Sequence, residues 1–196
     1  MKKISFGIIL VAILGMLSCD RSMKTPGTAA AVTSGVPEES IYQAEGRWDN
    51  QFGDTLRLAD LEGKIPVVSM VFTRCTFACP RTVGDMKAIE KQVPAGKKDQ
   101  VIFVLVSFDT ERDHTAELEQ FARQMKLGDN WLVLHGDEES VRELSMLLDV
   151  KYKKQENGDY THSSSIALLD TRGAIVSRLD GLGADPAPIL QKMEEL

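Results

Sequence analysis

The apolar positions of the chain alternate between short β-branched runs and longer stretches with helical spacing. The short runs predict strands over residues 67–73, 101–108, 131–134, 165–169 and 174–179, and a hairpin over 46–58 that turns at Gly53-Asp54. The helical spacing predicts helices over 82–93, 113–126, 138–148 and 187–195. Asn157-Gly158 is typical of a two-residue hairpin turn. Strands therefore alternate with helices over most of the chain.

This alternation predicts an α/β fold. Two β-α-β passes favour parallel pairing of the central strands, because parallel neighbours need a crossover connection. The terminal hairpin and helix complete a thioredoxin-like plan, in which helices flank a central mixed sheet, here with an additional N-terminal β-hairpin. The expected thioredoxin-like domain covers residues 41–196.

The first residues carry the pattern of an export signal. Lys2 and Lys3 precede an apolar stretch, 4–17, that is shorter than the about 20 residues a membrane-spanning helix needs. Ser18-Cys19 follows and resembles the end of a bacterial lipobox. We therefore expect residues 1–18 to be a lipoprotein-type signal peptide and Cys19 to carry the lipid. The domain would then be exported and anchored to a bacterial cell membrane, facing the periplasm or extracytoplasmic space; an ordinary signal peptide is the alternative.

Residues 19–40 are rich in Ala, Thr, Ser, Gly and Pro and show no apolar periodicity. This composition predicts a flexible, lipidated tether with a root-mean-square reach of about 25 Å. If Cys19 carries a lipid, Cys75 and Cys79 remain as a pair. Paired thiols in an exported protein occur where disulfides persist.

The charge balance limits the choice of partner. The chain has 29 acidic and 23 basic residues and a net charge of −6. It lacks the basic stretch interleaved with aromatic residues that is typical of nucleic-acid binding. We therefore expect no nucleic-acid partner, and the length suits one monomeric domain.

One dense group of chemical side chains stands between a predicted strand and a predicted helix. Cys75 and Cys79 lie there, and Pro80 suits the first helical turn because its missing N–H is not needed. Ligands of open α/β sheets bind beyond the carboxyl ends of strands, and a helix N-terminus stabilises a thiolate. Two thiols with this spacing can form a redox disulfide or bind a soft metal ion, and a static structural disulfide is the alternative.

The chain has three histidines that could complete a metal site. His114 opens a polar helix and is interpreted as a solvent-facing residue, and His135 follows a strand in what is interpreted as a loop. His162 directly precedes the predicted strand 165–169. In a thioredoxin-like fold the loop entering this strand faces the cysteines, so His162 is the favoured third ligand.

These segments resemble the Sco/SenC family of copper chaperones, which are thioredoxin-like and act in cytochrome c oxidase assembly. The segment FTRCTFACP, residues 72–80, is similar to the family's CxxxCP motif. Residues 106–113 are similar to its S-x-D-x-x-x-D stretch, and 159–170 to its histidine segment and following strand. The resemblance covers about 41–196.

The resemblance implies that Cys75, Cys79 and His162 bind one copper ion. Two thiolates suit Cu(I), and an added imidazole makes a site that can also hold Cu(II). The implied partners are the copper-bearing subunit of cytochrome c oxidase or another cuproenzyme, and a thiol reductant that opens a Cys75–Cys79 disulfide. Asp109 and Asp113 match family carboxylates linked to partner docking, although helix capping would also explain them.

The chain departs from the family pattern at two positions. Thr76 and Thr110 stand where the family often has proline. Neither change removes a ligand, so the metal site is less affected than the assignment to a subfamily.

Three other functions remain open. A thiol–disulfide oxidoreductase would use Cys75 and Cys79 without metal, but such enzymes have two residues between the cysteines and a cis-proline, whereas residues 160–165 contain no proline. A peroxiredoxin would share the T-x-x-C pattern of 76–79, but Phe72 stands where its proline is expected. In a non-catalytic interaction module the cysteines would be structural.

Overall fold

The computed structural model describes residues 40–196. The predicted signal peptide 1–18, the lipidation site Cys19 and nearly all of the predicted tether lie outside the described residues. Ser40, the last residue of the predicted tether, is buried and forms an isolated β-bridge with Ala174. Ser40 thus packs with the residues of the predicted domain.

The described region contains nine strands and four α-helices. The strands are β1 Arg47–Asn50, β2 Thr55–Arg57, β3 Ile65–Val71, β4 Val101–Ser107, β5 Trp131–His135, β6 Tyr152–Lys154, β7 Tyr160–His162, β8 Ser165–Leu169 and β9 Ile175–Asp180. The α-helices are α1 Ala78–Gln92, α2 Thr115–Met125, α3 Glu138–Leu147 and α4 Ala187–Glu195. Every helix and sheet strand predicted from the pattern is present, with ends shifted by a few residues.

Seven strands form one mixed sheet in the order β2-β1-β5-β4-β3-β8-β9. The central strands β3, β4 and β5 are parallel, and the hairpins β1–β2 and β8–β9 extend the sheet with antiparallel strands on either side. Every residue of β3 is buried, as expected for a central strand covered on both faces. This arrangement confirms the predicted thioredoxin-like plan and its N-terminal β-hairpin.

The core under α1 and α2 fixes how these helices lie on the sheet. Phe103 of β4 stacks on Trp131 of β5 with ring centroids 4.7 Å apart. The Trp131 indole N–H donates to the Glu90 carboxylate of α1 at 2.8 Å, and Lys87 donates to the Met125 carbonyl of α2 at 2.6 Å. These bonds hold α1 in place against the sheet. They also hold residues 72–80, which carry Cys75 and Cys79 and which we call the cysteine segment.

Helix α1 begins four residues earlier than predicted. Apolar spacing is visible in the sequence only from Thr82, but Cys79 also faces the core and is fully buried. It occupies the position one helical turn before Val83. The small, buried thiol of Cys79 therefore extends the apolar face to the N-terminus of the helix. Because the face there consists of a cysteine and not of a larger apolar residue, the sequence pattern does not indicate it.

The turn between β6 and β7 also differs from the prediction. Gly158 N–H donates to the Gln155 carbonyl at 3.0 Å, and Gly158 has φ 83°, whereas Asn157 is not among the residues with positive φ. A two-residue type I′ turn needs positive φ at both positions. The connection is therefore a three-residue loop over 156–158 with a left-handed glycine, and the predicted two-residue turn is wrong.

Strands β6 and β7 form a separate two-stranded sheet that carries His162 as its last residue. We call residues 152–162 the histidine hairpin. Among residues 40–196, no helix combines the length and the apolar character that crossing a bilayer requires.

Candidate metal centre

Cys75 and Cys79 lie where β3 ends and α1 begins. Cys75 is partly exposed in the connecting turn, and its N–H donates to the Phe72 carbonyl at 3.2 Å. Cys79, in the first turn of α1, is fully buried. Because β3 is one of the three parallel strands, both sulfur atoms lie at the carboxyl edge of these strands, the predicted position for a ligand.

The N-terminus of α1 is turned towards the Cys75 sulfur. The N-cap residue, Phe77, makes no side-chain hydrogen bond to the helix. Instead the Cys79 N–H donates to Cys75 Sγ at 3.2 Å. The sulfur thus takes the place of a capping oxygen, and the partial positive charge of the helix end favours the thiolate.

The two thiols differ in acidity as a consequence. The hydrogen bond from the Cys79 thiol is the largest effect on Cys75, and together with backbone N–H groups it lowers the pKa of Cys75 to about 5 despite partial burial. The same bond and burial raise the pKa of Cys79. One sulfur is therefore a thiolate at neutral pH, while the other keeps its proton until a metal ion or an oxidant displaces it.

His162 completes the group. Its Nε2 lies 4.0 Å from Cys79 Sγ, and the ligand atoms of Cys75, Cys79 and His162 all lie within 4.8 Å of one another. His162 Nδ1 is 3.1 Å from the Ser163 carbonyl, which can only accept, so Nδ1 carries the proton. Nε2, the atom that faces the sulfur atoms, is then the nitrogen available to a metal, as in metal-binding histidines oriented by a backbone carbonyl.

Aromatic rings fix the plane of the imidazole. The Phe108 ring centroid lies 5.0 Å from that of His162, and the Phe72 ring meets it edge-on at 6.2 Å. Tyr160 packs against both phenylalanines at 5.0 and 5.4 Å. The group opens on a cleft of about 380 Å³ lined by Phe77 and the end of the histidine hairpin.

Asp113 positions the cysteine segment from inside. It is fully buried, and its carboxylate accepts from the Thr73 N–H at 2.7 Å, the Thr73 hydroxyl at 2.6 Å and the Ser107 hydroxyl at 2.6 Å. Thr73 stands two residues before Cys75. Asp113 therefore ties the end of β4 to the turn that carries the first sulfur.

Asp109 positions the histidine hairpin. It is also fully buried, and its Oδ2 accepts from Arg112 Nε at 2.5 Å. Arg112 in turn donates to the Gly158 carbonyl, and the Tyr160 hydroxyl donates to Asp109 at 3.4 Å. Asp109 and Asp113 are both fully buried and bonded within the domain in this structure, and their role in partner docking stays a prediction.

The other two histidines lie outside this group. His114 is the exposed N-cap residue of α2, in agreement with its interpretation as solvent-facing. His135 is not in a loop but is the last residue of β5, partly buried, and its ring meets the His114 ring edge-on at 5.6 Å. Arg112 and Tyr160 could not be predicted from the sequence as part of the site, because nothing in their local sequence shows that both side chains bond to Asp109.

The donor set suits copper. Two sulfur atoms and one imidazole nitrogen match the preferences of Cu(I) and can also hold Cu(II). A structural zinc site needs four protein ligands, and among residues 40–196 no further His, Cys, Asp or Glu joins the group. Cys75 and His162 line the cleft, so a metal ion held by this group could be reached from it.

A thioredoxin-like sheet with a Cys-x-x-x-Cys pair and a histidine at its carboxyl edge defines a class of thiol and metal-binding proteins. Within that class the chain belongs to the SCO1/SenC family, whose model matches residues 37–196. This confirms the resemblance found in the sequence.

Solved structures agree with this assignment. A SCO1/SenC family lipoprotein from Bacillus anthracis is 28% identical, with a TM-score of 0.69 over 78% of this chain and 93% of that one. BsSco, described with a disulfide switch and as a member of the Sco family of cytochrome c oxidase assembly proteins, is 26% identical, with a TM-score of 0.67 over 79% and 92%. Arabidopsis thaliana ScoI with copper bound has the same fold at 20% identity, with a TM-score of 0.67 over 76% and 94%.

Proposed function

We propose that the protein is a membrane-anchored copper chaperone that delivers copper to the copper centre of a respiratory oxidase. The observation that carries the proposal is the convergence of Cys75, Cys79 and His162, whose ligand atoms lie within 4.8 Å of one another beside an open cleft. The copper in Arabidopsis ScoI and the place of BsSco among oxidase assembly proteins support it.

The geometry suits a carrier more than a permanent metal store. Three protein ligands leave a coordination position that a partner can approach from the cleft. A thiolate or imidazole of the copper-bearing subunit can bind there before this chain's ligands leave. Copper then passes by ligand exchange, without release of the free ion.

Substitution of the three ligands tests the metal site. Cys75→Ser and Cys79→Ser are each expected to abolish stoichiometric Cu(I) binding, because a hydroxyl is a poor ligand for this soft ion. His162→Ala is expected to keep Cu(I) on two thiolates but to lose the wild-type Cu(II) signal. The measurements are anaerobic Cu(I) titration against a competing chelator, and absorption and EPR spectra of the Cu(II) form.

Met146→Ala is the matched control, since this exposed side chain offers a sulfur ligand away from the cleft. Met146→Ala should bind one copper ion, as Cu(I) or as Cu(II), with the affinity and spectrum of the wild type. An unchanged Cu(II) spectrum in His162→Ala would place the third ligand elsewhere.

The membrane anchor is proposed from the sequence of residues 1–19. The basic start, the apolar stretch and Ser18-Cys19 support lipidation at Cys19, as does the lipoprotein among the similar structures. Metabolic labelling with a palmitate analogue should mark the wild type and not Cys19→Ala. Label retained in Cys19→Ala would rule out this residue as the lipidated cysteine.

A second candidate function is thiol–disulfide exchange without metal. The difference between an accessible, acidic Cys75 and a buried Cys79 favours it. The Cys75 thiolate would attack a client disulfide and form a mixed disulfide. Cys79 would then displace the client thiol, so that the client gains two electrons and Cys75–Cys79 becomes the disulfide.

Alkylation tests this difference. At pH 6 Cys75 is expected to react with iodoacetamide much faster than Cys79, because its thiolate predominates above its pKa of about 5, whereas Cys79 is buried and protonated. The sites are read by peptide mass spectrometry. In Cys79→Ala the thiol donor is gone, so the reaction of Cys75 should shift to higher pH; an unshifted pH profile would contradict the proposed hydrogen bond.

A further inference from the structure

We propose that His114, His135 and Asp49 form a second metal site, which binds a divalent first-row cation such as Zn²⁺ or Cu²⁺. The site is separate from the cysteine pair and independent of the proposed copper delivery. Its three side chains come from different elements: the N-cap of α2, the end of β5 and strand β1, which lies between β2 and β5.

Strand pairing brings two of the three side chains together. Asp49 of β1 pairs with His135 of β5 in the sheet register, and Asp49 Oδ2 lies 3.8 Å from His135 Nε2. This is too long for a hydrogen bond. A nitrogen and an oxygen that share one ion, each about 2.0–2.2 Å from it, are separated by roughly 3–3.5 Å. The pair therefore needs only a small movement to hold a cation between its members.

His114 supplies the third ligand. The centroids of the His114 and His135 rings are 5.6 Å apart, and the rings are nearly perpendicular. Two imidazoles bound to one ion at about 2 Å have centroids roughly 5–6 Å apart. The His114 side chain is exposed, so its ring can turn towards the ion without disturbing the core.

The surrounding groups favour a bound cation. The His135 ring is partly buried beside the Asp49 carboxylate. The other Asp49 oxygen accepts from the Thr55 hydroxyl, which leaves Oδ2 facing His135. Glu117 accepts from the His114 backbone N–H at 3.2 Å and adds negative charge nearby.

The ligand set determines which ions fit. Two imidazoles and one carboxylate suit Zn²⁺ and Cu²⁺, whereas Cu(I) prefers the sulfur ligands of the other site. The two sites share no ligand residue, so substitutions can remove either one without the other.

The test uses the full chain with the first site removed by Cys75→Ser, Cys79→Ser and His162→Ala together. Calorimetric titration with Zn²⁺ alone is expected to show one bound equivalent. Adding His135→Ala should abolish this binding, and adding His114→Ala should weaken it by about tenfold or more. Cu²⁺ bound to the same background should give an EPR signal with nitrogen hyperfine structure that His135→Ala removes.

Asp49→Asn tests the carboxylate ligand. Asp54→Asn is its matched control, since Asp54 is an exposed carboxylate of the same hairpin. Only Asp49→Asn should weaken Zn²⁺ binding. Absence of Zn²⁺ binding in the background variant would overturn the site, and so would binding that survives both histidine substitutions. Equal affinities of the two aspartate variants would overturn Asp49 as a ligand.

Discussion

Oxidation of Cys75 and Cys79 to a disulfide is expected to abolish Cu(I) uptake by the full chain. In the proposed site both sulfur atoms bind copper as thiolates, and a disulfide offers neither negative charge nor a free pair of soft ligands. The measurement is anaerobic Cu(I) titration of the air-oxidised protein before and after treatment with a dithiol reductant. Uptake should rise from none to one equivalent as two free thiols per chain appear.

The sulfur atoms are arranged for such a switch. The two sulfur atoms lie within 4.8 Å of each other. Cys75 has the lower pKa and is partly exposed, so a reductant or oxidant can reach the pair through it. Reduction of the disulfide consumes two electrons and two protons, which a thiol reductant supplies as it becomes a disulfide itself. For this two-electron couple, about 30 mV changes the ratio of reduced to oxidised protein tenfold. In the proposed switch, a small difference in reduction potential between the chain and its reductant would therefore decide whether copper is loaded.

His162→Ala serves as the control for this switch, because it removes one ligand but leaves both thiols. Its Cu(I) uptake should remain as sensitive to oxidation as that of the wild type. Equal Cu(I) loading of fully oxidised and reduced wild type would show that the cysteines are not the gate, and would remove the main support for them as joint ligands.

The cysteine pair could be located from sequence because its signals are local. A buried β-branched strand ends next to Cys75, and a helix with a proline in its first turn begins around Cys79. Strand ends and helix starts are set by neighbouring residues, so the sequence predicts them. His162 could be placed for a related reason, since it precedes the strand that pairs with β3.

The parts that could not be predicted depend on contacts between distant segments. Arg112 donates to the carbonyl of Gly158 in the turn of the histidine hairpin, although the two residues are 46 positions apart in the sequence. Asp113 is buried because Thr73, 40 residues away, supplies two of its three donors. Charged residues are seldom fully buried without such partners, so the local sequence alone favours exposed positions for Asp109 and Asp113.

Asp113→Ala is expected to destabilise the fold and to weaken copper binding at the same time. It leaves the Thr73 N–H and hydroxyl and the Ser107 hydroxyl without their acceptor. The Ser107 hydroxyl is buried and the two Thr73 donors are partly buried. Each donor left unsatisfied there costs about 1 kcal/mol, so the free energy of unfolding should fall by about 3 kcal/mol. Urea denaturation measures this loss, which is a large share of the roughly 5–15 kcal/mol that stabilises a typical domain.

The copper effect follows from the position of Thr73, two residues before Cys75, since a loosened turn no longer holds the first sulfur towards the other two ligands. Removing a residue that orients a ligand typically lowers metal affinity by about 10–100-fold. Glu111→Ala is the matched control: this exposed carboxylate of the same segment pairs with Lys154 at the surface, and surface ion pairs contribute little to stability. If Asp113→Ala fails to fold, Asp113→Asn keeps the side-chain shape and should show a smaller loss of both properties. Stability and copper affinity in Asp113→Asn equal to those of Glu111→Ala would show that the buried carboxylate does not position the site.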